Sequence, residues 1–157
     1  MRRNDWGVPM AEKPLTRIDQ MLCFAVYSAG HAFTRFYKPR LDALDLTYPQ
    51  YLAFLVLWER DDITVKHLGE RLFLDSGTIT PLIKRLEARG LVRRRRDEDD
   101  ERQVRITLTE AGRALKAKAF AIPLAVIEGT GLTLEGGDAL RAELIALRDR
   151  LDAALEA

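Results

Sequence analysis

The spacing of apolar residues predicts a mainly helical chain with a long helix at each end. From Leu15 to Phe36 apolar side chains recur every three or four positions, which is the period of an amphipathic helix, and Pro39 is expected to end it. This first stripe consists of Leu15, Ile18, Leu22, Ala25, Val26, Ala29, Phe33 and Phe36. A last helix over 138–155 has its own stripe of Leu140, Leu144, Leu147, Leu151 and Leu155.

The pattern between these two helices predicts a helix-turn-helix unit. A helix over 49–59 precedes a second over 65–73 and a third that begins near residue 76 and stops at Gly90. Two helices joined by so short a connection form a helix-turn-helix motif. The residues expected to begin the three helices are Thr47 or Tyr48, then Thr64, then Asp75 or Ser76.

A β-hairpin is predicted directly after the helix-turn-helix. Val104, Ile106 and Leu108 alternate with polar residues, which is the period of a half-buried strand. Residues 91–96 supply the second strand, and the acidic stretch 97–101 forms the turn. A further short strand is expected at Ile63. A hairpin in this position is the wing of a winged helix-turn-helix.

Charge is balanced over the whole chain but concentrated at one place. The chain has 25 basic and 24 acidic residues, whereas residues 76–96 contain seven basic residues and only Glu87 as an acid, a net charge of +6. Such a patch neutralises DNA phosphates; the alternative is a merely solvated basic helix face. The expected DNA contacts are Ser76, Thr78, Thr80, Lys84, Arg85, Arg94, Arg95 and Arg102.

The tip of the wing combines an acidic run with one arginine. Residues 97–101 repel phosphate unless they turn away from it, whereas Arg102 has the position of a wing residue that enters a minor groove, whose negative potential favours arginine. The acids either orient Arg102 through salt bridges or only keep the hairpin soluble. Both interpretations stay open at this point.

The fold expected from these elements is mainly α, a winged helix-turn-helix with long N- and C-terminal dimerisation helices and a β-hairpin wing. The helix after the wing is expected to start at Thr109 or Glu110 and to run towards Glu128, before a glycine-rich joint over 129–137. The terminal stripes are expected to be buried in a bundle shared by two chains, or else on their own chain. The expected organisation is a flexible arm (1–14), N-terminal dimerisation helices (15–46), a DNA-binding domain (47–110) and C-terminal dimerisation helices (111–157).

Composition argues against several other classes of protein. A single cysteine, Cys23, forms no internal disulfide and is too little thiol for a metal cluster. With only His31 and His67, no metal site, no cofactor site and no catalytic residues are expected, which disfavours an enzyme such as a thiol peroxidase. No signal peptide and no transmembrane run are found, so we expect a cytoplasmic protein with no membrane partner.

Particular segments identify a family resemblance over nearly the whole chain after the arm. The segment LDSGTITPLIKRLE (74–87) resembles the recognition helix of MarR-type repressors. The segments GLVRR (90–94) and DDERQV (99–104) resemble the wing of that family, and TLTEAG (107–112) resembles the start of its next helix. Within that family, three motifs are similar to the organic hydroperoxide resistance regulators of the one-cysteine type. They are LCF (22–24), YKP (37–39) and LTYPQY (46–51).

The resemblance implies a repressor with a redox-sensing cysteine. Cys23 would be the sensor with Tyr27 and Tyr37 as its tyrosine partners, whereas without the resemblance a thiol among apolar residues is expected to be simple packing. The implied partners are a pseudo-palindromic double-stranded DNA operator, a second copy in a homodimer, an organic hydroperoxide as inducer, and a small cellular thiol that caps the oxidised cysteine. The alternative is a MarR-type repressor that a small aromatic ligand releases.

Helix geometry decides how the two tyrosines reach the cysteine. Tyr27 lies four residues after Cys23 and therefore one turn away on the same face. Tyr37 lies fourteen residues after Cys23, which is about 21 Å along a straight helix. We therefore expect Tyr37 to reach the cysteine of a partner subunit whose first helix runs antiparallel.

Overall fold

A computed structural model describes residues 17–156 as helices around a small sheet. The predicted arm and the first position of the apolar stripe, Leu15, lie outside the described residues. The elements are a 3₁₀ turn (Ile18–Gln20), α1 (Leu22–Asp42), α2 (Tyr48–Glu59), β1 (Ile63–Thr64), α3 (Val65–Leu72), α4 (Ser76–Ala88), β2 (Val92–Arg96), β3 (Val104–Leu108), α5 (Glu110–Ala119), α6 (Ile122–Thr130) and α7 (Leu134–Leu155).

Side-chain caps begin the helices of the predicted DNA-binding unit. Thr47 and Gln50 form a reciprocal capping box, and Thr64 accepts a hydrogen bond from the backbone N–H of His67. Asp75 is the N-cap of α4, where its carboxylate accepts from the N–H of Thr78 at 2.9 Å. Since each cap satisfies an otherwise unpaired N–H group of the first turn, the helix starts follow from local sequence. These predicted starts are confirmed.

The prediction that Pro39 ends the first helix was wrong, because α1 continues to Asp42. A proline removes one backbone N–H donor, but here only three helical residues follow it, so little of the helix is affected. The ion pair from Lys38 to Asp42 spans this last turn at 2.9 Å. Leu41, in the same turn, is buried, and its packing favours the helical conformation.

The helices after the wing also differ from the prediction. The expected helix towards Glu128 is interrupted, because α5 ends at Ala119 and α6 begins at Ile122 with Pro123 in its first turn. Proline cannot continue a helix from the preceding turn but suits the first turn of a new one. The expected joint over 129–137 is shorter than predicted. Thr133 caps α7, so this helix begins at Leu134 rather than at residue 138.

A three-stranded antiparallel sheet connects the helix-turn-helix to the wing. The strand order is β1-β3-β2, with Ile63 opposite Ile106 and Val92 opposite Leu108, and the short strand predicted at Ile63 is therefore confirmed. The sheet packs with α2, α3 and α4 around one apolar core. Its most buried members include Phe54, Leu57, Leu68, Ile79, Ile83, Leu86 and Ile106. The predicted winged helix-turn-helix fold is confirmed.

The described residues fall into two units whose boundary lies within α1, between Phe36 and Tyr37. The second unit contains the winged helix-turn-helix and the C-terminal helices. Within residues 17–156, no single helix combines the length and apolar character of a membrane span; only the successive stretches Glu110–Thr130 and Leu134–Leu155 meet that test together, with a 91° bend between them.

Candidate DNA interface and cysteine site

Helix α4 has one face in the core and the opposite face in solvent. Ile79, Leu82, Ile83 and Leu86 are buried, and this periodic burial orients the helix. The polar residues predicted to contact DNA lie on the remaining surface. Ser76, Thr78, Lys84 and Arg85 are exposed, and Thr80 is half-buried.

Lys84 and Arg85 are the cations of α4 that are available to a ligand. Within residues 17–156 neither side chain forms a hydrogen bond or an ion pair. A cation without an intramolecular partner can pair with a phosphate without first breaking a salt bridge. These two residues therefore suit phosphate neutralisation at the recognition helix.

A concave surface lies between the start of α3, the helix α4 and the wing. Three of the predicted DNA contacts line it, namely Thr80, Arg94 and Arg102. Lys66 and Gln103, which were not among the predicted contacts, line it as well. Lys66 lies in the first turn of α3, and its ammonium group is 3.9 Å from Glu70. The sequence signal that could have identified Lys66 is its place in the first turn of α3, the first helix of the helix-turn-helix motif.

Arg94 connects the recognition helix to the wing. Its Nε donates to Glu87 Oε2 at 2.6 Å, and its backbone N–H donates to Glu87 Oε1 at 3.0 Å. Glu87, the one acid of the basic stretch, is thereby neutralised. Arg94 still lines the concave surface, but its charge is already paired with Glu87.

Arg95 lies on the face of β2 opposite to Arg94, because side chains alternate along a strand. Its guanidinium contacts Asp62 at 3.2 Å and Glu98 at 3.0 Å, and it does not line the concave surface. A DNA contact by Arg95 would require exchange of these partners, so its predicted role stays a prediction.

At the wing tip the acids orient the arginine, which is one of the two interpretations of the sequence. Asp100 Oδ1 accepts hydrogen bonds from the backbone N–H and from Nε of Arg102, both at 3.1 Å. The Arg102 side chain is nevertheless 92% exposed and extends from the turn. Asp97 folds inwards, where it accepts from the N–H groups of Asp99 and Asp100.

The carboxylates of Asp62 and Asp97, which both pair with Arg105, should make the stability of the fold sensitive to low pH. Hydrogen bonds from Arg105 lower the pKa of Asp62 and of Asp97 below the ordinary aspartate range. The two carboxyl groups therefore bind protons less tightly in the folded state than in the unfolded state. Their contribution to stability is complete above the pKa that they have in the unfolded state, and it is lost as the pH falls through the lower pKa that they have in the folded state. We expect the free energy of unfolding to decrease below about pH 4. Urea unfolding at pH 3 to 7 measures this.

The matched variant for that experiment is Asp97→Asn, which keeps an oxygen acceptor for the turn but removes the titrating group. Its free energy of unfolding should decrease less steeply at low pH than that of the wild type. Identical pH profiles for the two proteins would contradict a stabilising role for the ionised Asp97.

The single cysteine lies in the first turn of α1 on an exposed part of the helix. Tyr27, one turn further on, stacks on Phe24 with ring centroids 6.2 Å apart and contacts the His31 ring edgewise at 4.3 Å. Tyr27 therefore belongs to a short aromatic row on α1, and its role beside Cys23 stays a prediction. No group of three or more metal-ligating side chains occurs in the described part of the chain.

Tyr37 belongs to an aromatic cluster in the second unit. Its ring centroid lies 4.7 Å from that of Tyr48 and 5.8 Å from that of Tyr51. Burial, with the neighbouring phenol groups of Tyr48 and Tyr51, raises the pKa of Tyr37 to about 12, so its hydroxyl remains a proton donor at neutral pH. Tyr48 was not among the residues predicted from the sequence to be functional, although the LTYPQY motif contains it.

Comparison with known proteins identifies the family to which the chain is similar. Residues 35–119 match the family model described as transcriptional regulator SarA/Rot. Over 136 residues the chain is 57% identical to the HTH-type transcriptional regulator TtmR of Methylorubrum extorquens, a match that covers 87% of this chain and 70% of that protein.

Two further similarities are to a hydroperoxide resistance regulator and to a regulator whose structure contains DNA. The chain is 48% identical over 136 residues to the organic hydroperoxide resistance transcriptional regulator of Bacillus subtilis, covering 87% of this chain and 90% of that protein. The structure of reduced AbfR bound to DNA superposes with a TM-score of 0.75 at 34% identity, covering 90% of this chain and 97% of that one.

Proposed function

The chain belongs to the MarR-like winged-helix transcription regulators and is related to the organic hydroperoxide resistance regulators; we propose that it represses transcription as a homodimer and releases its operator when an organic hydroperoxide oxidises Cys23. The observation on which this proposal depends is the exposed thiol of Cys23 at the start of α1. A cysteine that only packs is usually enclosed by the core of its own chain, whereas this thiol is left outside it and is available to a partner subunit and to a peroxide at their interface.

Exposed apolar side chains support a dimer. On α1, Leu22 is 64% and Phe33 42% exposed, and on α7, Leu151 is 60% and Leu155 87% exposed. Apolar stripes of this length on the surface of a single chain are unfavourable in water. A second copy provides matching stripes from its own terminal helices, and a symmetric dimer also suits two operator half-sites.

Tyrosine hydroxyls are the proposed stabilisers of the reactive thiolate. The fourteen residues from Cys23 to Tyr37 correspond to about 21 Å along a straight helix, which is too far for a contact within one chain. In the proposed dimer, Tyr37 donates to the cysteine of the partner subunit. Tyr48 contacts the ring of Tyr37 and is a candidate second donor.

The proposed reaction balances with the hydroperoxide as the only oxidant. The thiolate sulfur attacks the terminal peroxide oxygen, an S–O bond forms, the O–O bond breaks, and the peroxide leaves as an alkoxide that takes up a proton. The resulting sulfenic acid then reacts with a small cellular thiol to form a mixed disulfide and water. No second cysteine exists in the chain to resolve it.

Release follows if the modified sulfur no longer accepts the tyrosine hydrogen bonds. The added group enlarges the site, and the spacing of the two recognition helices changes. Because a dimer recognises half-sites at one spacing, a loss of roughly 3–4 kcal/mol weakens DNA binding several hundredfold.

The test is an operator-binding titration of the reduced protein before and after an alkyl hydroperoxide is added in the presence of a small thiol. We expect wild type to dissociate, strong reductant to restore binding, and Cys23→Ser to remain bound throughout. The serine variant keeps the size of the side chain but cannot be oxidised in this way.

Three outcomes would contradict the proposal. Release of Cys23→Ser by the hydroperoxide, or release of both proteins by a phenolic compound, would favour regulation by a bound small molecule. Consumption of hydroperoxide over many turnovers would favour a peroxidase.

A further inference from the structure

Arg105 is a half-buried arginine of β3 with an unusual set of partners. Its side chain is 28% exposed, and its guanidinium contacts two separate carboxylates. Nε donates to Asp62 Oδ1 at 2.9 Å, Nη2 donates to the Asp62 carbonyl, and Nη1 donates to Asp97 Oδ2 at 2.9 Å. The side chain therefore joins the connection between α2 and β1 to the start of the wing turn.

Asp62, the main partner of this arginine, lies in the connection between α2 and β1. It has a left-handed backbone with φ of 55°, which side chains other than glycine, asparagine and aspartate adopt rarely. Its carboxylate also contacts Arg95 at 3.2 Å. Asp61, the preceding residue, accepts from the N–H of Leu108 at 2.8 Å, so the same corner holds the end of β3.

Asp97 transmits the position of Arg105 to the wing tip. One of its carboxylate oxygens contacts Arg105, and the other accepts from the N–H groups of Asp99 and Asp100 at 3.0 and 3.1 Å. Asp100 in turn holds the exposed Arg102 through two hydrogen bonds. A continuous series of contacts therefore leads from Asp62 through Arg105 and Asp97 to Arg102.

The charges of this network argue against Arg105 as a phosphate ligand. Arg95 and Arg105 face Asp62 and Asp97, so the four side chains together have no net charge. The guanidinium of Arg105 is directed at protein acceptors, whereas that of Arg102 is almost fully exposed. The arrangement suits an arginine that holds the wing.

We propose that Arg105 is a positioning residue that sets the direction in which Arg102 enters the DNA minor groove beside each half-site. The inference rests on the DNA-binding part of the proposed function and is independent of Cys23 oxidation. Arginine prefers a narrow, A·T-rich minor groove, and a correctly directed Arg102 gives the protein a preference for A·T pairs at that place. Loss of Arg105 therefore lowers this preference without removing a DNA contact.

The test measures the binding of reduced wild type, Arg105→Met, Arg102→Ala and the double variant to two operators. The operators differ only in the base pairs beside each half-site, where the wing is expected to bind: these are A·T pairs in one operator and G·C pairs in the other. Arg105→Met keeps the apolar stem of the side chain. On the A·T operator we expect Arg102→Ala and Arg105→Met each to weaken binding about tenfold, and the double variant to bind no more weakly than Arg102→Ala. On the G·C operator Arg105→Met should change affinity less than twofold.

A milder variant and a control keep the result interpretable. Asp62→Asn keeps a residue type that tolerates the left-handed backbone, and it should repeat the pattern of Arg105→Met in a stably folded protein. Arg141→Met, which breaks an exposed ion pair with Asp138 on α7, should bind both operators like wild type.

The inference would be overturned if the loss of affinity in the double variant were the product of the two single losses. It would also be overturned if Arg105→Met lost equal affinity for both operators, or if Arg102→Ala bound like the wild type. Each outcome is read on the reduced protein. A failure of hydroperoxide release is therefore seen separately.

Discussion

The variant Gly112→Ala is expected to lose about 3–5 kcal/mol of the free energy of unfolding, a large effect for a single added methyl group. A Cβ at Gly112 would lie 2.1 Å from the carbonyl oxygen of Leu91 and 3.2 Å from a methyl group of Leu108. The oxygen belongs to the backbone and is already held by the N–H of Thr109 at 3.1 Å, so it cannot move aside cheaply.

The loss would extend beyond one contact, because Gly112 joins several elements. Its N–H donates to the cap residue Thr109, and its carbonyl accepts from Trp58 Nε1 at 3.0 Å. Displacement of α5 would break the connection between α2 and the base of the wing. Urea unfolding measures the effect, and operator binding should fall in parallel.

The matched control is Gly137→Ala, in the first turns of α7. A Cβ there meets nothing within 4 Å, and alanine favours a helix, so stability should rise by up to about 1 kcal/mol. Equal stability of the two variants would show that the close approach at Gly112 relaxes without cost.

Simultaneous replacement of Lys84 and Arg85 by alanine is expected to weaken operator binding about a thousandfold at 0.15 M salt. In the proposed dimer the change removes four cations from the two recognition helices, and loss of about 1 kcal/mol for each phosphate contact gives about 4 kcal/mol. Both side chains are exposed and lack an intramolecular partner among the described residues, so the fold should tolerate the change.

The salt dependence of binding separates local contacts from overall charge. Four lost phosphate contacts should reduce the slope of log K against log salt concentration by about 3–4, and a monomer at one site would show about half that change. The control, Lys118→Ala with Arg150→Ala, removes the same charge from exposed positions of α5 and α7. A control variant that loses as much affinity would contradict a specific role for α4.

Much of the candidate interface was predictable because its determinants are local. The run of basic residues on one predicted helix and the following hairpin indicated the candidate DNA interface, and a family motif identified Cys23 as the candidate sensor. Local sequence does not determine which of the cations are free of an intramolecular partner. Arg94 and Arg95 belong to the same basic stretch as Lys84, yet Glu87 engages the first and Asp62 the second.

The sequence by itself determined the order of the elements and the starts of the helices, since a cap such as Asp75 acts on an N–H only three residues away. Tertiary structure alone decided the course of the helix through Pro39 and the pairing of Arg105 with Asp62, which lie 43 residues apart. The physical reason is the range of the interactions. Hydrogen bonds within one turn depend on neighbouring residues, whereas burial and ion pairing depend on which distant segments the folded core brings together.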